Sequence, residues 1–284
     1  MSLTAKFPSA LSALRCITVF APLAAAQTTY TFTTFTVPSS TYTDTTAIAE
    51  NGDVTGYYGL VDGSYQGFLR TASGKITTIT YPGSDETAAY GMNKSGVLAG
   101  SYGFAGFLYS AGAYTNVVVE GQPAPLSDIN DSGYYVGIYG KPGVFTAFMA
   151  SPSGRITTLQ YPGGYYTAPV WIKNSGEIIG TYEDQFQRLH TFLYNAKSGY
   201  KTIQIPGVPG ATIGDINSSG VIVGSYFDGV TVQAFVYQNG GFRLMQVPGA
   251  SNSSASAINN KGQIVGGYTY PGTENIGYIA TPVQ

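Results

Sequence analysis

The eleven residues Ile216-Asn217-Ser218-Ser219-Gly220-Val221-Ile222-Val223-Gly224-Ser225-Tyr226 hold a turn and the strand that leaves it. Asn and Ser side chains bond nearby backbone, and glycine accepts the positive φ that closes a hairpin, so Asn217 to Gly220 reads as a tight β-turn. The alternation after Gly220 is a strand pattern, and Gly224 inside it marks a bulge or a close backbone approach. The same glycine, three residues, glycine, one residue and tyrosine recur at Gly52-Gly56-Tyr58, Gly96-Gly100-Tyr102, Gly133-Gly137-Tyr139, Gly176-Gly180-Tyr182 and Gly262-Gly266-Tyr268. First glycines of successive copies lie 44, 37, 43, 44 and 42 residues apart. That period belongs to stacked or radial repeats.

The rest of the unit is equally regular. Eleven to sixteen residues past each first glycine comes an aromatic strand, as in Gly67-Phe68-Leu69, Thr191-Phe192-Leu193-Tyr194 or Gly277-Tyr278-Ile279. A small-residue turn follows, such as Pro152-Ser153-Gly154-Arg155, and then an alternating strand ending in proline, such as Ile156 to Pro162. Proline donates nothing to a ladder, so it suits the end of an outer strand. A short strand, for example Ala211 to Ile216, leads back to the next turn. Four strands per unit is the count of one propeller blade.

The two ends of the chain decide between a ring and a solenoid. In five repeats a proline stands 14 residues before the first glycine (Pro38, Pro82, Pro162, Pro206 and Pro248), while the shortened copy has Glu120-Gly121 near that place. Pro38 ends Tyr30-Thr31-Phe32-Thr33-Thr34-Phe35-Thr36-Val37, a strand with no unit before it. After the last aromatic strand, Tyr278-Ile279-Ala280, only Thr281 to Gln284 remain. A ring explains the spare strand and the missing one together, whereas a solenoid needs end caps and leaves them unexplained. The expectation is an all-β, six-bladed β-propeller over residues 27–284, with the N-terminal strand completing the last blade.

The aromatic strands carry the triplets His190-Thr191-Phe192, Gln233-Ala234-Phe235, Thr146-Ala147-Phe148 and Gln66-Gly67-Phe68. Beside them stand the turn leads Asp128-Ile129-Asn130 and Asp215-Ile216-Asn217. In both features the chain resembles the HAF-repeat family of secreted bacterial proteins, named for a His-Ala-Phe signature in that strand. The resemblance runs from about Gln27 onward; it implies export and a β-propeller-like fold, and it brings no activity or catalytic residues with it.

Lys6 and Arg15 precede the apolar run Cys16 to Ala26, whose small Ala24 and Ala26 suit a signal peptidase. Residues 1–26 therefore read as a signal peptide cleaved near Ala26, giving a secreted, extracellular or periplasmic product. The run is too short to span a bilayer. Cys16 is the only cysteine, so the mature chain has no thiol and no disulfide. The formal charge of −2 and the absence of a basic stripe argue against nucleic acid as a partner. Charged residues make up 10% of the sequence beside 38 Gly and 24 Tyr, a composition for close-packed strands in a monomer rather than long helices.

Few residues carry candidate chemistry. His190 is the only histidine, which removes multi-histidine metal sites, and its repeat position gives it a structural role in one blade. Asp128 and Asp215 occupy equivalent positions in blades three and five, where the other blades have Ala47, Gly91, Trp171 and Ala257. Beside a central channel two such carboxylates could hold Ca²⁺ with backbone carbonyls; the simpler reading is that they accept N–H bonds in their turns. No cofactor is expected. The acid pairs Asp85-Glu86 and Glu183-Asp184 read as solvated loop residues, although glycosidases also need two carboxylates across a sugar.

Two of the four connections per unit are nearly invariant, and in a four-strand meander both lie at one end of the blades. The other two vary widely, and irregular loops gathered on a rigid scaffold are where sites are usually placed. Tyr65, Glu86, Tyr165, Tyr166, Asp184, Phe227 and Asp228 lie there and suit contact with carbohydrate or an extracellular protein. The leading expectation is a non-enzymatic binding scaffold. The alternative is an extracellular hydrolase or lyase acting on polysaccharide or a lactone, with Asp128, Asp215, Glu86 or Asp184 near the channel. A purely structural matrix component is a third reading.

Overall fold

The computed structural model describes residues 29–141 and 143–283; the signal peptide expected over residues 1–26 lies outside the described residues. Chain order begins with β1 (Tyr30–Phe35), which belongs to the last blade. Blade one is β2 (Thr43–Ile48), β3 (Val54–Gly59), β4 (Tyr65–Arg70) and β5 (Ile76–Ile79). Blade two is β6 (Thr87–Met92), β7 (Leu98–Tyr102), β8 (Ala105–Ser110) and β9 (Ala113–Val119), with a short β10 (Gln122–Pro123). Blade three follows as β11 (Leu126–Ile129), β12 (Tyr135–Lys141), β13 (Val144–Ala150) and β14 (Ile156–Leu159). Blade four is β15 (Tyr166–Ile172), β16 (Ile178–Glu183), β17 (Leu189–Asn195) and β18 (Gly199–Ile203). Blade five is β19 (Ala211–Ile216), β20 (Ile222–Phe227), β21 (Val232–Gln238) and β22 (Gly241–Leu244). Blade six is β23 (Asn252–Ile258), β24 (Ile264–Thr269), β25 (Ile276–Pro282) and the returning β1. The molecule is an all-β six-bladed propeller of antiparallel sheets.

Closure occurs where the sequence places it. β1 pairs antiparallel with β25, from Tyr30 opposite Pro282 to Phe35 opposite Gly277. Phe32 meets Tyr278 edge-on at 5.6 Å, and Phe35 meets Phe68 of blade one at 5.9 Å, so the strand ties both neighbours.

One pairing explains the glycine motif. Gly56, Gly100, Gly137, Gly180, Gly224 and Gly266 each stand directly opposite a fully buried ring, namely Phe68, Phe107, Phe148, Phe192, Phe235 and Tyr278. At Gly180 an added Cβ would lie 2.4 Å from the Ala168 carbonyl oxygen and 2.5 Å from Phe192 Cζ. The glycine lets the ring lie over the backbone, and each buried ring contributes about 2–3 kcal/mol of apolar burial. Tyrosine replaces phenylalanine only in blade six, where its hydroxyl donates to the Ser254 carbonyl at 2.9 Å.

Blade two departs from the four-strand pattern. Glu120 and Gly121 both take positive φ, 51° and 75°, which makes a tight hairpin and folds β10 back onto β9. This hairpin stands where the other blades have their proline-ended turn.

Candidate functional site

In every blade the innermost strand slips register once, between Thr45 and Ala47, Ala89 and Gly91, Leu126 and Asp128, Pro169 and Trp171, Ile213 and Asp215, and Ala255 and Ala257. A bulge re-aims the side chain that follows it. Ala47, Asp128, Trp171, Asp215 and Ala257 at those positions, together with the first-turn residues of the blades, line a cavity of about 710 Å³ at the end of the central channel. That volume is in the range of small-molecule pockets.

The rim of this cavity is a chain of inter-blade hydrogen bonds. The Asn130 side chain donates to the Lys173 carbonyl at 3.1 Å, Asn217 to the Asn259 carbonyl at 3.4 Å, and Asn259 to the Ala49 carbonyl at 3.1 Å. One residue further on, the Lys94 N–H donates to Asp131 Oδ1, the Asp131 N–H to Asn174 Oδ1, and the Asn260 N–H to Glu50 Oε1. Each asparagine Oδ1 also accepts two N–H groups of its own turn, as Asn130 does from Ser132 and Tyr134 at 3.0 Å. Asn130, Asn217 and Asn259 therefore close their turns and bolt them to the next blade.

Asp128 and Asp215 lie in the cavity wall, and both staple blades together. Asp128 Oδ2 accepts the Ile172 N–H at 2.9 Å, and Asp215 Oδ2 accepts the Ile258 N–H at 3.1 Å. Asp215 Oδ1 also takes the Ile216 N–H and forms an ion pair with Lys173 Nζ. Asp128 packs on Gly91, where any Cβ would lie 2.0 Å from its Oδ1. Burial pushes the Asp128 carboxyl up to about 7, against the lowering effect of the Ile172 and Ile129 N–H groups and the Lys173 charge. Trp171, the only tryptophan, lines the same cavity. Among the described residues, no three His, Cys, Asp or Glu side chains gather as a metal-binding group.

The irregular loops occupy the opposite end. Tyr65 and Glu86 come together there, bridged strand-to-loop, and the Tyr65 hydroxyl is pushed up to about 12 by burial and by the adjoining Glu86 carboxylate. Tyr165 and Tyr166 lie against the end of β16, where the Tyr165 N–H donates to the Glu183 carbonyl at 3.0 Å. Phe227 and Asp228 sit in the next blade, apart from the other two groups. Glu86 and Asp184 are thus at the other end from Asp128 and Asp215.

Two of these acids build their own loops. Asp184 accepts the Phe186 and Arg188 N–H groups, the Arg188 side chain at 2.8 Å, and His190 Nε2 at 2.9 Å. Partial burial would raise its carboxyl, but those donors outweigh it and hold it well below the usual range. Asp228 accepts the Val230 and Thr231 N–H groups and is lowered by them. His190 stacks on Tyr182 at 5.1 Å. Its contacts are those of a strut.

Sequence reading missed Lys173 as a functional group and missed the apolar tips of the loop face. Lys173 takes the place held by Asn93, Asn130, Asn217 and Asn259 in four other blades, a departure visible once the repeats are aligned. Of the eleven exposed large hydrophobics among the described residues, nine lie at the loop end: Val61, Phe104, Val144, Tyr165, Phe186, Leu189, Phe227, Val230 and Tyr270. Every blade contributes at least one. The same end carries the carboxylates of Asp62, Asp85, Glu86, Glu120, Glu183, Asp184, Asp228 and Glu274, beside the basic Lys141 and Arg188.

Similar architectures occur among solved structures. A streptogramin B lyase matches with a TM-score of 0.53 at 11% identity, over 89% of this chain and 98% of that one. A gluconolactonase from Xanthomonas campestris matches with a TM-score of 0.57 at 12% identity, over 89% and 90%. TolB from Acinetobacter baumannii matches with a TM-score of 0.57 at 12% identity, over 84% of this chain and 65% of that one. At such identities the likeness is one of fold. No family model and no curated protein matches the sequence.

Proposed function

We propose that the chain is an exported, non-enzymatic propeller of the HAF-repeat kind whose irregular-loop face binds a protein with a cationic, apolar patch. The observation that carries this reading is the ring of exposed apolar tips, one or more from each blade, set among carboxylates. Isolated exposed apolar residues are ordinary on any surface, but here nine of the eleven among the described residues fall at one end of the blades. The acidic surroundings favour a basic partner and speed its approach. Asp62, Asp184 and Asp228 hold three of the tips in fixed hairpins, which lowers the entropy lost on binding.

A photo-crosslinking residue placed at Phe104 or Phe186, in protein exposed to the secreted fraction of its producing cells, tests this. Both positions should capture the same basic protein, while Asn239 at the opposite end should capture none. The triple variant F104S/F186S/V230S should fold normally and lose the crosslink. Retention by a glycan array, abolished by Tyr165→Ala and Tyr166→Ala, would instead favour a carbohydrate ligand.

A second reading rests on Asp128. A carboxyl near neutrality in a cavity is suited to general acid catalysis, as a hydrolase or lyase acting on polysaccharide or a lactone would need. Its test is turnover of such substrates that Asp128→Asn abolishes.

A further inference from the structure

We propose that the channel-mouth cavity is a binding site for a small organic monocation, an amine or quaternary ammonium with an apolar body. This site is at the opposite end of the propeller from the protein-binding face and is independent of it. Its volume of about 710 Å³ admits such a molecule, and its wall combines the groups that recognise one.

Charge comes first. Asp128 and Asp215 are the deep carboxylates of the wall, 9% and 3% exposed. Lys173 is paired with Asp215, so Asp128 is left with no ion-pair partner among the described residues. With Asp128 ionised, the two carboxylates and the Lys173 ammonium leave one net negative charge in the cavity wall. Around the mouth, Glu50, Asp53, Asp131 and Glu177 outnumber Lys94, so the field at the entrance also favours a cation.

The aromatic group comes second. Trp171 lines the same cavity, and tryptophan is the best cation–π partner among side chains. Ala47, Ile129, Ile172, Ile216 and Ala257 add aliphatic wall beside the turn asparagines, so a hydrocarbon body has apolar surface to lie on.

Calcium fits this wall less well than an organic cation does. Ca²⁺ takes six to eight oxygen ligands. The Asp215 oxygens already accept two N–H groups and the Lys173 ammonium, leaving Asp128 as a single carboxylate.

A linkage follows. Without ligand the Asp128 charge is relieved by a proton, since its carboxyl sits at about 7. The groups facing it are the Ile172 and Ile129 N–H donors, Lys173, which favours ionisation, Asp215, which opposes it, and the uncharged Gly91 of blade two. An entering cation favours the ionised form and drives that proton to solvent.

Because Trp171 is the only tryptophan, its emission reports on the cavity directly. Cyclohexylamine should change that emission saturably. Cyclohexanol and cyclohexanecarboxylate should bind at least tenfold more weakly, and calcium chloride should give no saturable change. Calorimetry in buffers of different ionisation enthalpy should show release approaching one proton at pH 6 and almost none at pH 8.5. Asp128→Asn keeps an acceptor for the Ile172 N–H and should weaken the amine at least tenfold with the fold intact. Ala47→Phe should block the cavity for every probe. Equal binding of cyclohexanol, preference for the carboxylate, a response to calcium in place of the amine, or no saturable response to any probe would each overturn the proposal.

Discussion

Protonation of Asp128 is coupled to folding because its carboxyl leaves water for the wall between blades two, three and four. In the folded chain the group titrates at about 7, above the ordinary carboxylate range. Between about pH 4 and 7 the native state therefore holds a proton that the unfolded chain has released, and stability declines as pH rises through that window. Asp128→Asn abolishes this slope. Urea unfolding at pH 5 and pH 8 should show the variant gaining about 2–3 kcal/mol on the wild type between the two. An unchanged difference would mean that the carboxyl stays solvated. Asp184 behaves in the opposite sense: its donors depress it, so its stabilisation is present above about pH 4 and is lost as pH falls further. Its role is local. Asp184→Ala should release the hairpin that carries Phe186, seen as several-fold faster trypsin cleavage after Arg188 with little change in Tm.

At the scale of the element, the glycine-opposite-aromatic pair separates two uses of glycine. Gly180 lies under the Phe192 ring, and an alanine there collides with backbone as well as ring. Gly176, in the preceding turn, has φ +84° and open space around it. Gly180→Ala should destabilise by about 3 kcal/mol, from overpacking with no free volume to relax into. Gly176→Ala should lose only about 1–2 kcal/mol, the strain of a left-handed residue. Chemical denaturation of both variants checks the order, and a reversed order would refute the close-approach account. The strand order and the motif glycines were legible in the sequence because turn chemistry and steric room are local properties. The six bulges of the inner strands were not. A bulge depends on the partner strand's register, and nothing in Leu126-Ser127-Asp128 or Pro169-Val170-Trp171 taken alone announces one.

At the scale of the molecule, the position of Asp128 and Asp215 beside the channel could be inferred from the repeat alignment. The Lys173–Asp215 pair joins residues 42 apart in neighbouring blades, and the apolar loop face appears only once burial is known. Closure was legible because it reduces to counting strands, and it also carries the strongest global prediction. β1 covers the edge of β25, sets Tyr30 and Phe32 on the blade-six core, and wedges Phe35 between blades six and one beneath Arg70. A chain lacking residues 1–38 keeps five complete blades but opens the ring and bares the β25 edge, where unpaired backbone invites pairing between chains. Each blade buries its faces only against neighbours, so loss of one seam should reach the whole structure. The shortened chain should lose its single cooperative melting transition and associate through the exposed edge. A synthetic peptide of residues 29–38 should restore both the transition and the monomer, and the same peptide with Phe32→Ala and Phe35→Ala should restore neither. If the shortened chain melts as sharply and as high as the full one, the seam contributes nothing and blade six is sustained by its own three strands.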